Sequence, residues 1–163
     1  MRSWVDCYGR KSRKHEKDQG AMSGSETALI VDDEEQLLRL MERVIQRAGF
    51  RTLTASDGDE ALRIFRASAA EIDLVLLDVI LSPGDGAAEL LPKLLGERPE
   101  LRVILTSGDA LPEELEAKLA AIGGQFLRKP FAVKALVRVV QGDPIGTAAA
   151  HRARSTPGRG SSR

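Results

Sequence analysis

Cysteine is nearly missing from this 163-residue chain: Cys7 stands alone, so no disulfide can form within it. That suits a reducing compartment. No apolar run approaches the roughly 18 residues that a membrane helix needs. The N-terminus carries Arg and Lys but no apolar stretch of signal-peptide length. These absences make the cytoplasm the expected location, with no membrane association. The two histidines, His15 and His151, lie close to the chain's ends, which leaves the middle without the commonest general base. No glycine-rich phosphate cradle and no internal repeat is visible.

Charge is balanced overall, with 24 Lys/Arg and 24 Asp/Glu, but unevenly spread. Residues 1–20 hold six Lys/Arg against three acids, and residues 142–163 hold four Arg against Asp143. The stretch between them, 21–141, has 14 bases and 20 acids, a balance of −6. An acidic body between basic tails is a poor electrostatic footprint for nucleic acid. Polar, charge-rich residues 1–25 and the Gly/Pro/Ser/Arg-rich 142–163 read as a disordered extension and a disordered tail. Residues 26–141 read as one domain, whose composition is rich enough in apolar residues to build a core.

Within that domain apolar runs and helical stripes alternate. Ala28–Val31 reads as a buried strand, stopped by Asp32-Asp33-Glu34-Glu35. Leu37, Leu38, Leu40, Met41, Val44, Ile45 and Ala48 then recur at spacings of three and four, an amphipathic helix ended by Gly49. Arg51–Ala55 is a second strand, with Ser56-Asp57-Gly58 as turn and cap. Leu74-Val-Leu-Leu-Asp78 is four aliphatic residues running into a carboxylate, the pattern of a strand buried on both faces. Ala61, Leu62, Ile64 and Phe65 give a second helix its apolar side, and further helices are expected over Ala87–Glu97, with Pro92 a distortion, over Pro112–Ile122 and over Ala132–Gln141. Arg102–Thr106 and Gln125–Arg128 are the remaining strands. Five strand–helix pairs predict an α/β fold, a doubly wound five-stranded parallel sheet.

In such a sheet every strand's carboxyl end faces one rim, where ligands bind. The rim should therefore collect Asp32 and Asp33, Asp78, Thr106 and Lys129. Two carboxylates about 4 Å apart repel by roughly 4 kcal/mol at an effective dielectric near 20. Lys129 offsets part of that, and a hard divalent cation such as Mg2+ would offset the rest. A carboxylate beside Mg2+ and a lysine, with a hydroxyl nearby, is equipped to attack phosphorus without a general base. One of Asp32 and Asp33 is also expected to cap the helix that follows.

These pieces resemble the receiver domain of two-component response regulators over nearly all of residues 27–141. The resemblance lies in Leu29-Ile-Val-Asp-Asp33, Leu74-Val-Leu-Leu-Asp78, Gly86, Ile104-Leu-Thr-Ser-Gly108 and Phe126-Leu-Arg-Lys-Pro-Phe131. It implies a flavodoxin-like (βα)5 fold. It also implies that Asp78 is the phosphoacceptor, with Asp32, Asp33, Asp78 and the carbonyl of Ile80 holding Mg2+. Thr106 and Lys129 would contact the phosphoryl group, Thr106 and Phe126 would form the switch, and Lys129–Pro130 would be cis. A sensor histidine kinase or histidine phosphotransfer protein would supply the phosphoryl group. Two departures stand out. Proline falls at 83 where the family usually has it at 82, and Phe126 replaces the commoner tyrosine. A reshaped loop around an intact site is expected.

The expected function is thus a phosphorelay receiver that signals through a changed protein-binding face, not an enzyme acting on external substrates. The face of residues 112–140, with Leu115, Leu119, Val133, Leu136, Val137 and Val140, is the candidate surface for an output protein or a second copy. An aspartyl-phosphate phosphatase is the alternative, but such enzymes place a second acid two residues after the nucleophile, where this chain has Ile80. A nucleic-acid binder acting through the basic tails is the other. Direct DNA binding is not expected, because the 22 residues after Gln141 are too few for a helix-turn-helix.

Overall fold

The protein is described by a computed structural model over residues 25–84 and 86–143. Strands and helices alternate throughout: β1 (Thr27–Val31), α1 (Glu35–Arg47), β2 (Arg51–Ala55), α2 (Gly58–Ser68), β3 (Ile72–Asp78), α3 (Ala87–Glu97), β4 (Arg102–Ser107), α4 (Glu113–Ala121), β5 (Gln125–Arg128) and α5 (Val133–Val140). All neighbouring strands are parallel, in the order β2-β1-β3-β4-β5. The chain reverses its direction of winding between β2 and β3, so the crevice between the carboxyl ends of β1 and β3 is the ligand position of this topology.

Burial follows from two-sided coverage. Residues 74–77 of β3 are all at most 1% exposed, because helices cover both faces of the sheet. On one face Leu38, Met41, Val44 and Ile45 of α1 and Leu136, Val139 and Val140 of α5 pack on Ile30, Leu74, Leu76 and Ile104. On the other, Phe65 of α2, Leu90, Leu91 and Leu94 of α3 and Leu115 and Leu119 of α4 pack on Leu29, Val75, Leu77 and Leu105. Each such side chain contributes roughly 1.5–3 kcal/mol of hydrophobic stabilisation.

Several expectations are corrected. Leu40 belongs to the helical stripe by spacing, yet it is 49% exposed: Leu38, Met41, Val44 and Ile45 face the sheet, Leu37 and Ala48 pack at its margin, and Leu40 falls outside. Glu34, not Asp32 or Asp33, holds the N-cap position of α1, and no side chain caps it. α4 and α5 are each shorter by one residue at both ends than the pattern suggested. α3 covers the expected Ala87–Glu97, with Pro92 inside it and exposed. Most of the 112–140 apolar set is core: Leu115, Leu119, Leu136 and Val140 are buried, Val137 is half-buried and Val133 alone of the six is exposed. The extension and tail expected at 1–25 and 142–163 lie, but for Ser25, Gly142 and Asp143, outside the described residues. No described helix is long and apolar enough to cross a membrane.

Candidate functional site

The rim is assembled by backbone bonds that carry the sheet ladder past the strand ends. Asp78 is the last residue of β3 and lies in register with Thr106 of β4. The Val79 N–H then donates to the Thr106 carbonyl at 2.9 Å, and the Lys129 N–H donates to the Ser107 carbonyl at 2.8 Å. These bonds bring Lys129 beside Asp78 although 51 residues separate them. The Lys129–Pro130 bond is cis, as expected, and Ser82–Pro83 is cis as well.

The carboxylates lie together. One oxygen each of Asp32, Asp33 and Asp78 falls within 4.8 Å of the others. Asp32 is fully buried and Asp78 is 7% exposed, while Asp33 faces solvent. Lys129 Nζ lies 2.8 Å from Asp32 Oδ2 and 2.5 Å from Asp78 Oδ2, bridging the two buried acids. Each carboxylate is also fixed by a backbone N–H: Glu34 donates to Asp32 Oδ1, Ile80 to Asp78 Oδ1 and Ser82 to Asp33 Oδ2, at 2.9, 3.1 and 3.1 Å. Sequence reasoning missed these three donors, since backbone geometry leaves no mark in residue identity.

Burial dominates the electrostatics of Asp32. Its desolvation raises the carboxyl pKa above the ordinary 3.8, outweighing the lysine and the Glu34 N–H, which favour the ionised form. For Lys129, burial alone would lower the ammonium pKa, but the hydrogen bonds and charges of Asp32 and Asp78 prevail and raise it above 10.5. Lys129 is therefore a fixed cation throughout the physiological range. Three hard oxygen donors around one lysine are the kind of set that takes Mg2+, which binds through few carboxylates and keeps several waters. The residues present fit that ion.

The remaining predicted residues surround this centre. Thr106 is 1% exposed, and its Oγ1 is buried without a hydrogen-bond partner among the described residues. A buried hydroxyl left unpaired costs free energy unless a ligand satisfies it. Ile80 is 62% exposed at the rim, two residues beyond Asp78. Phe126 is half-buried against the cluster that contains Leu105, Leu115 and Leu119. Gly86 closes the loop: its φ is +59°, and a Cβ there would stand 2.1 Å from the Val79 carbonyl oxygen. That same oxygen accepts the Ala87 N–H at 3.0 Å, starting α3. Shifting proline to position 83 leaves the carboxylate cluster assembled.

Comparison with known proteins agrees with this geometry. The sequence model of the response regulator receiver domain matches residues 28–141. The chain belongs to this family. As a receiver it is 37% identical over 134 residues to the sensor kinase CckA of Brucella abortus, an alignment covering 80% of this chain and 14% of that protein. It is 34% identical over 111 residues to the probable transcriptional regulatory protein TcrX of Mycobacterium tuberculosis, covering 68% and 46%. The receiver thus spans less than half the length of these curated relatives. Among solved structures it superposes on a receiver domain protein from Clostridium thermocellum with a TM-score of 0.62 at 28% identity, covering 72% of this chain and 92% of that one. The receiver domain of the hybrid histidine kinase CckA gives a TM-score of 0.61 at 32% identity, covering 72% and 97%. Receivers are signalling domains of two-component systems that interact with histidine kinases and generally bind Mg2+ in an acidic pocket. The phosphatase and nucleic-acid alternatives are not favoured.

Proposed function

We propose that this receiver accepts a phosphoryl group on Asp78 from a histidine kinase or histidine phosphotransfer protein. The observation that carries the reading is the Asp78 carboxylate held between the Lys129 ammonium and the Ile80 N–H, beside the unpaired hydroxyl of Thr106. An Asp78 oxygen attacks phosphorus, an O–P bond forms, and the P–N bond to the donor imidazole breaks. The imidazole keeps that electron pair and takes a proton from solvent. The nucleophile is a carboxylate oxygen held by Lys129 and the Ile80 N–H, and the attack uses no general base.

The residues of the chain divide the remaining work. Asp32, Asp33 and Asp78, with the Ile80 carbonyl, would hold Mg2+. When bound, the ion neutralises charge on the phosphoryl oxygens. Lys129 supplies a second fixed charge to the same oxygens, aimed by the turn at Pro130. Thr106 donates its hydroxyl to a phosphoryl oxygen, which resolves its unpaired state. Phe126 follows as the switch, since a ring without a hydroxyl moves with little desolvation cost. Water later attacks phosphorus, the Asp78 O–P bond breaks, and inorganic phosphate leaves with the carboxylate regenerated, so the chain acts on its own phosphoryl group alone. Residues 26–141 form the working unit, in the cytoplasm, with output through protein contacts.

The test is phosphorylation by acetyl phosphate followed by intact mass. A single phosphate adduct is expected on the wild type with Mg2+ present, and none with the metal chelated or with Asp78→Asn. An adduct that survives Asp78→Asn refutes the assignment.

A further inference from the structure

The helix ends give the molecule a polarity that its zero formal charge conceals. In a parallel sheet all helix N-termini meet at the rim. Here the first turns carry Glu35 in α1, Asp59 and Glu60 in α2, Glu89 in α3 and Glu113, Glu114 and Glu116 in α4. The last turns, at the far end, carry Arg47, Arg66, Lys118 and Arg138. Acids at N-termini and bases at C-termini complement the helix dipoles, which explains the arrangement locally. Its global result is a rim on which acids outnumber bases, α5 alone bringing no acid in its first turn.

Local pairing does not cancel that field. Glu35, Glu89 and Glu114 are paired one turn along with Arg39, Lys93 and Lys118. Glu34, Asp59, Glu113 and Glu116 are exposed and have no ion-pair partner among the described residues. Arg128, at the end of β5, and Lys134, in the first turn of α5, are exposed bases with no ion-pair partner among the described residues, and Arg63 lines the same cleft as Asp59 and Glu60. Lys129 is already consumed by Asp32 and Asp78. The same rim holds Asp78 in register with Thr106, whose buried hydroxyl has no partner among the described residues.

From these observations we infer that the rim selects a phosphodonor protein whose docking face is basic, and that it disfavours small anionic phosphodonors. The inference rests on Asp78 being the acceptor. A phosphoryl group arrives carrying negative charge, so the acidic ring opposes it unless the donor brings cations around its histidine. Such steering alters association rates by about ten- to a thousand-fold and weakens as salt shortens the Debye length to about 10 Å at 0.1 M. Bases placed around the donor histidine would face Glu34, Asp59, Glu113 and Glu116.

Two synthetic phosphohistidine peptides, one flanked by lysines and one by glutamates, supply the test. Each is reacted with the full chain and Mg2+, and adduct formation is followed by intact mass at low and high salt. The lysine peptide is expected to label about tenfold faster at low salt, with the gap closing as salt rises. Labelling by acetyl phosphate should accelerate with salt. Combining Asp59→Asn, Glu113→Gln and Glu116→Gln should narrow the gap between peptides while leaving Asp78 reactive. Equal peptide rates at low salt, or a gap indifferent to salt, overturn the inference while the acceptor assignment stands. Labelling absent with all three donors, or retained in Asp78→Asn, overturns the assignment and this inference with it.

Discussion

Replacing Lys129 by methionine removes the single cation between two buried acids and keeps most of the aliphatic stem. In the wild type Lys129 Nζ lies 2.8 Å from Asp32, which is fully buried, and 2.5 Å from Asp78. The variant leaves carboxylates within 4.8 Å of each other, a repulsion of roughly 3.5 kcal/mol at an effective dielectric near 20. Breaking a buried pair by removing one partner costs about 3–5 kcal/mol. Because the lysine side chain is 19% exposed, solvent screening reduces that to about 3 kcal/mol. A proton sets the ceiling. A carboxyl of ordinary pKa 3.8 can be neutralised at a cost of about 1.4 kcal/mol per pH unit above that value, so about 5 kcal/mol at pH 7.5 but only about 1.6 at pH 5. The raised pKa of Asp32 lowers this ceiling further.

Wild-type Lys129, with its folded pKa above 10.5, contributes fully at both pH values and is lost only as pH rises through that raised value. Asp32 behaves oppositely: its ionisation costs stability, increasingly as pH rises from 3.8 through its raised pKa. Urea unfolding of Lys129→Met should therefore show a loss near 3 kcal/mol at pH 7.5 and less than about 1.6 at pH 5. Mg2+ at a hundred times its Kd should return about 2.7 kcal/mol. An unchanged midpoint at pH 7.5, or an equal loss at both pH values, refutes the bridging role.

Gly86→Ala should lose about 2–3 kcal/mol, seen as a melting temperature lower by about 10 °C, since the new Cβ meets the Val79 carbonyl at a positive φ. A melting temperature within 2 °C (about half a kcal/mol) of wild type refutes that constraint. Thr106→Val should raise the urea midpoint, gaining up to about 1 kcal/mol by replacing an unpaired buried hydroxyl with a methyl group. A loss instead means that the hydroxyl is satisfied in the resting protein. Mg2+ affinity measured by calorimetry should fall as pH descends through the raised pKa of Asp32, because protonation competes with the metal. Affinity flat down to pH 4 contradicts this.

Wherever the cause is local, the sequence by itself determined the outcome. Period and composition set the strand–helix alternation, because a run such as Leu74–Leu77 can only be accommodated between two covered faces. The parallel order implied by that alternation was enough to send Asp32, Asp33, Asp78, Thr106 and Lys129 to one rim, since strand direction decides which end each residue reaches. What the tertiary structure alone decided depends on which surfaces meet. Leu38 and Leu40 lie on opposite margins of the apolar stripe, each spaced by three or four residues from other members, yet only Leu38 meets the sheet. Leu115 and Leu136 looked available to a partner until their helices were seen to close over opposite faces of the sheet. The lysine that bridges Asp32 and Asp78 does so across 97 and 51 residues of chain. Its place was set by the bond that the Lys129 N–H donates to the Ser107 carbonyl, which no single residue encodes. The unpaired hydroxyl of Thr106 is likewise a property of packing: a threonine is polar in any sequence, but only its neighbours determine whether it has a partner.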